Sequence, residues 1–154
     1  MKRTILCVVS LLLSVCMLVA CGGAKSVDLK TVFNDINSKF GFNDLTVLED
    51  ASKLNRYFQI DEAKVKQFAA ELSTESSVFT EIILIEAVDE AAVKDMVTAL
   101  NNHLQSRKDE AKSYNPESVA MLSKCTVESN GTYVTLIIDE KASEIRDLYN
   151  SYFQ

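Results

Sequence analysis

Cys125-Thr126-Val127-Glu128, then Asn130-Gly131, then Thr132-Tyr133-Val134-Thr135-Leu136-Ile137-Ile138 is the stretch that decides the fold. Two β-prone arms flank an Asn-Gly pair, the preferred centre of a type I′ turn, where both residues need positive φ. A second β-branched run, Phe79-Thr80-Glu81-Ile82-Ile83-Leu84-Ile85-Glu86-Ala87, is nearly continuous in its hydrophobicity. Such a run reads as a central strand covered on much of both faces. Strands that arrive as hairpins, with helices between the hairpins, predict an α+β domain: a small antiparallel sheet with helices packed on it.

The helices are legible by their stripes. Asp89 is a good N-cap with Glu90 in the first turn, and Val93, Met96, Val97, Leu100 and Leu104 follow at helical spacing, which predicts a long helix to Tyr114. Past Leu104 the helix turns polar, with Arg107-Lys108-Asp109-Glu110 expected to be exposed. Asn115-Pro116 breaks it and opens a short helix, Asn115 as the cap and Val119 and Leu122 facing in. Asp139 is expected to cap a last helix whose stripe is Ala142, Ile145, Leu148, Tyr149, Tyr152 and Phe153. Near the front, Ser26 can cap a helix carrying Leu29, Val32, Phe33, Ile36 and Phe40, which Gly41 ends. Between Phe42 and Ile60 the pattern allows a short helix near Glu49–Leu54, an extended Tyr57–Ile60 and a cap at Asp61. Residues 65–72 fit a helix through Val65, Phe68, Ala69 and Leu72, or a strand through Phe68, Ala70 and Leu72. Thr74 to Ser77 is a polar turn.

The N-terminus carries its own information. Met1-Lys2-Arg3 is basic, Thr4 to Val19 is uncharged and strongly apolar, and Leu18-Val19-Ala20-Cys21 resembles a bacterial lipobox. Those three parts read as an export signal, an N-terminal signal helix over residues 1–20 cut between Ala20 and Cys21. Cys21 would then carry a covalent diacylglyceryl group, to which an N-acyl chain can be added, and residues 21–25 would be the lipidated tether. Two acyl chains give durable anchoring where one does not. Removing residues 1–20 takes away Lys2 and Arg3 and no acid, so the formal charge goes from −6 to −8. An acidic body argues against nucleic acid, and it leaves membrane contact to the lipid rather than to a basic face. Processing would also remove Cys7 and Cys16 and acylate Cys21, leaving Cys125 alone and no intramolecular disulfide. Cys125 alternates with Val127 and reads as a small buried hydrophobe.

Together, the lipobox, Tyr57 followed by Ile60-Asp61, Thr80–Ala87 running into an acidic helix, Tyr114-Asn115-Pro116-Glu117, and Asn130-Gly131-Thr132-Tyr133-Val134 resemble a family of small lipoproteins of Gram-positive anaerobes, domain of unknown function 4358. The likeness covers about residues 45–154, within a single domain over 26–154 whose first helix spans 26–41. It implies a strand at 65–72, and hence two β-hairpins each followed by a helix. It brings no activity.

Chemistry is sparse. His103 is the only histidine and reads as a helix-surface imidazole, so neither a metal site nor a cofactor is expected. Asp89-Glu90 and Asp139-Glu140 sit where helix starts favour negative charge, and Asp109-Glu110 do not share a helix face. There is no nucleophile elbow, phosphate loop or dinucleotide fingerprint. No catalytic residue is assigned. The chain is expected to be a non-enzymatic lipoprotein on the outer face of the cytoplasmic membrane. It would bind a protein of the envelope through an apolar patch or an unpaired sheet edge. The alternative is an extracytoplasmic small-ligand binder, with ligand residues unassigned. An enzyme ranks third, to be revived by His103 clustering with an acid and a serine in a cleft.

Overall fold

The computed structural model describes residues 26–42, 44–75 and 77–154. The expected signal peptide at 1–20 and its helix, the cut site at Ala20 and Cys21 and the tether at 21–25 lie outside them. The described chain is α+β. Its five strands are β1 (Thr46–Val47), β2 (Val65–Leu72), β3 (Glu81–Ala87), β4 (Val127–Asn130) and β5 (Tyr133–Ile138). They form one antiparallel sheet in the order β1-β2-β3-β5-β4. The helices are α1 (Leu29–Phe40), α2 (Ser52–Phe58), α3 (Glu90–Tyr114), α4 (Val119–Leu122) and α5 (Ala142–Ser151).

β3 lies at the centre and all seven of its residues are buried. Successive side chains point to opposite faces, so the sheet has two cores. Ile83, Ile85, Val134, Leu136, Ala70 and Leu72 face α2, α3 and α4. Ile82, Leu84, Ile137, Tyr133 and Ala69 face α1 and α5. The stripes of α1 and α3 read from the sequence are the buried faces, with Leu29, Val32, Phe33 and Ile36 under α1 and Val93, Met96, Leu100 and Leu104 under α3. Residues 65–72 are a strand, as the family likeness implied.

Several local expectations are corrected. The cap of α1 is Asp28, not Ser26: its carboxylate accepts from the Lys30 and Thr31 N–H groups, satisfying two donors that a helix start leaves orphaned. Tyr57 and Phe58 end α2 rather than extending, and Gln59 closes it in the left-handed region at φ 58°. Asn115 does not cap with its side chain, which instead donates to the Ser77 carbonyl. Asp139 stands ahead of α5: its carboxylate accepts from Lys141 N–H, and Lys141 occupies the cap position. The β4–β5 turn is shifted by one residue. Asn130 pairs with Tyr133, so Gly131-Thr132 are the central residues. Positive φ falls on Gly131 alone, at 56°, the pattern of a II′ turn with glycine first. Finally, β1 adds a short edge strand that two hairpins alone do not contain.

Truncating the middle of β3 should be costly. Ile83→Ala, fully buried against α3, is expected to lose about 2–5 kcal/mol. Gly131→Ala should lose only about 1 kcal/mol, from φ alone, because nothing lies within 4 Å of an added Cβ. Urea unfolding midpoints of the two variants test both.

Candidate functional site

Three glutamates are buried in the sheet: Glu71, Glu81 and Glu86. Each is held differently.

Glu81 opens β3 and is 1% exposed. It faces α3, which brings His103 and Arg107 over it. His103 Nε2 lies 2.6 Å from Glu81 Oε2, and Arg107 Nε lies 2.8 Å from Oε1. The Arg107 Nε–H is not aimed along that line, so this contact is charge to charge rather than a directed hydrogen bond. The rest of the guanidinium is tied down, with Nη1 donating to Glu110 Oε2 at 2.6 Å and Nη2 to the Val78 carbonyl at 3.2 Å. Its carbon lies 4.5 Å from the centroid of the Phe79 ring. His103 packs edge-on against Phe58, with centroids 4.8 Å apart.

This corrects two expectations. His103 is not a surface imidazole, since its side chain is only 16% exposed, and Arg107 is a half-buried partner of a buried acid rather than an exposed charge. A carboxylate only accepts, so Nε2 carries the hydrogen, and in the neutral ring Nδ1 holds the lone pair. Nδ1 makes no hydrogen bond among the described residues. Beside it lies a cleft of about 160 Å³ lined by Tyr57, Gln59, Asn102, His103 and Ser106. An acid, a histidine and a serine thus do meet at a cleft. Ser106, however, sits inside the 25-residue α3, where backbone N–H groups are used by the helix ladder and none is free to hold an oxyanion. The cleft is also smaller than the roughly 300–1,000 Å³ of ligand pockets.

Glu86, on the opposite face at the other end of β3, accepts from Lys66 Nζ at 2.7 Å and Gln67 Nε2 at 2.5 Å. Burial works to raise its pKa, but Lys66, Gln67 and Tyr133 outweigh it and hold the carboxyl below its usual range. Gln67 also accepts from Leu29 N–H and donates to the Val27 carbonyl, and the Tyr133 hydroxyl accepts from Val27 N–H at 2.9 Å. The start of α1 is therefore pinned to β2 and β5.

The β2 edge is the other unusual place. Leu48 N–H donates to the Ala70 carbonyl, so Ala70 points its backbone groups off the outer edge. Phe68 has the same parity, and no strand among the described residues meets its outward N–H and C=O. The open stretch lies between β1 and the Val65–Gln67 bulge of the β2–β3 ladder. Along it runs a groove of about 560 Å³ lined by Lys30, Phe33, Val47, Glu49, Phe68 and Ala69.

Cys125 is buried against Met121, and burial pushes its thiol pKa up, the reverse of a reactive cysteine. Among the described residues no three His, Cys, Asp or Glu side chains are grouped to hold a metal, and no helix is long and apolar enough to cross a membrane.

A family model described as "Domain of unknown function (DUF4358)" matches residues 24–139. The chain belongs to that family. The match takes in α1, which the likeness over 45–154 had left out, and it ends at Asp139, before α5. Neither a curated protein nor a solved structure matches the chain. The family's shared region therefore contains Glu71, Glu81, Glu86, His103, Arg107 and the β2 groove.

Sequence reasoning missed Glu81 and Arg107 as a pair. The available clue was a lone acid at the head of an apolar strand. Arg107→Ala leaves that buried acid with His103 as its one partner and should destabilise by about 3 kcal/mol, whereas the paired replacement Glu81→Leu with Arg107→Met should lose less. Denaturant unfolding of both variants separates a buried ion pair from an exposed one.

Proposed function

We propose that the protein is a non-enzymatic, lipid-anchored module of the bacterial envelope that binds another protein through the β2 edge. The anchor reading rests on the lipobox ending at Cys21 and on the basic and apolar segments before it. It puts the domain on the outer face of the cytoplasmic membrane, on a tether of five residues that spans at most about 18 Å. The observation that carries the binding role is the open edge at Phe68 beside an apolar groove. Unpaired strand edges recruit extended segments, with main-chain hydrogen bonds giving affinity and neighbouring pockets giving selectivity. Val47, 46% exposed at the lip of the groove, leaves apolar surface where a solvated edge strand would favour charge.

A non-catalytic role agrees with the site geometry. Glu81 is paired with His103 and Arg107, and the backbone N–H groups around Ser106 are used by the helix ladder. A small-ligand reading comes second. The groove has a ligand pocket's volume, but its free backbone groups match a strand better than a compact molecule.

The test is crosslinking in cells followed by capture of the anchored protein. Cys21→Ala serves as the unanchored control and Val47→Lys as the groove variant. The expected outcome is one envelope protein enriched with the anchored form, lost with Val47→Lys, and an unchanged melting temperature for that variant. Equal capture by Val47→Lys would remove the groove from the binding role, and a Cys21→Ala form that still fractionates with membranes would remove the anchor.

A further inference from the structure

Two buried oxygen acceptors have no donor. Glu71 is 1% exposed on the α1 face of β2, and its Oε1 has no hydrogen-bond partner among the described residues. Asn37 Oδ1, on α1, is in the same condition. Asn37 Nδ2 donates to the Phe33 carbonyl at 3.3 Å, which fixes the amide's orientation, since turning it would set its oxygen against that carbonyl. Asn37 is the one side chain that acts on the Glu71 carboxyl, lowering its pKa against burial, and no charged group does. The strand neighbours directly across from Glu71 are apolar, Val47 on β1 and Ile82 on β3. The charged residues of α1, Lys30, Asp35 and Lys39, are exposed.

An ionised Glu71 would thus be a buried charge without a counter-ion. A buried acceptor left unpaired is costly, and a charged one more so. We propose that Glu71 is a neutral carboxylic acid in the folded protein and that this neutrality latches α1 to β2.

Burial pushes the Glu71 pKa from an ordinary 4.5 to about 7, with the Asn37 amide opposing it only in part. Because the folded value is raised, the latch contributes its full stability below about pH 4.5 and loses it as pH rises through about 7. Phe33 and Val47 flank both the latch and the groove, so ionisation would loosen the groove's walls. The latch itself requires neither an anchor nor a partner.

The deciding measurement is a carbon-13 NMR titration of the Glu71 carboxyl in the wild-type domain, assigned with Glu71→Gln. The carboxyl is expected to titrate near neutrality. Hydrogen-exchange protection of α1 amides should fall about tenfold between pH 6 and 8, by proton linkage. In Glu71→Gln, whose amide imitates the neutral acid, protection should stay level. A carboxyl that titrates in the ordinary acid range, or α1 protection equal at both pH values in wild type, would overturn the proposal. Should Glu71→Gln not fold, assignment through sequential backbone correlations leaves the wild-type titration decisive.

Discussion

The constraint on which the structure depends is that β3 is buried on both faces. A strand so placed cannot send any polar group to water, so whatever it carries must be satisfied by its neighbours. Its two glutamates stand at opposite ends and, five positions apart, on opposite faces. Glu81 is answered by Arg107 and His103 from α3, and Glu86 by Lys66 and Gln67 from the adjacent strand. On the neighbouring strand, Thr135 turns its hydroxyl into the Ile83 carbonyl. The covering elements therefore bring matched polar groups as well as apolar stripes. A helix docked one turn out of register would bury its leucines nearly as well, but it would leave Glu81 without a counter-charge.

That requirement explains what could be read from the sequence. The hairpins, α1 and α3 announce themselves because periodicity is local, and each stripe is written within its own element. The role of Arg107 is not local. Its position continues the α3 stripe, with Leu100 before it and the buried Ala111 after it. Its charge makes it look like the end of that stripe until a carboxylate on a strand 26 positions earlier is placed beneath it. His103 is obscured in the same way, beside the stripe in a polar stretch. β1 is too short, at two residues, to carry any pattern. The Asn-Gly turn was legible as a turn but not in its register. Asn130 can serve as the last paired residue, and only one of the two central positions needed glycine's freedom.

The same physics separates the three glutamates by role. Two are paired within the fold and fix how the layers meet. The third, Glu71, has no counter-ion and lies on the strand next to the β1 edge. The family's shared region begins just before α1 and so includes that edge in full.

The polar clamp at Val27 has a mechanical meaning. Its N–H and C=O are gripped by the Tyr133 hydroxyl and the Gln67 amide before α1 begins. A pull on the chain from residue 26 is therefore delivered to β2 and β5 in parallel, across the sheet, before the first turn of the helix carries any load. The helix cannot be unwound from its leading end until that grip slips. A body hung from its N-terminal side would behave as a unit under tension, yielding at two side-chain contacts rather than by gradual peeling.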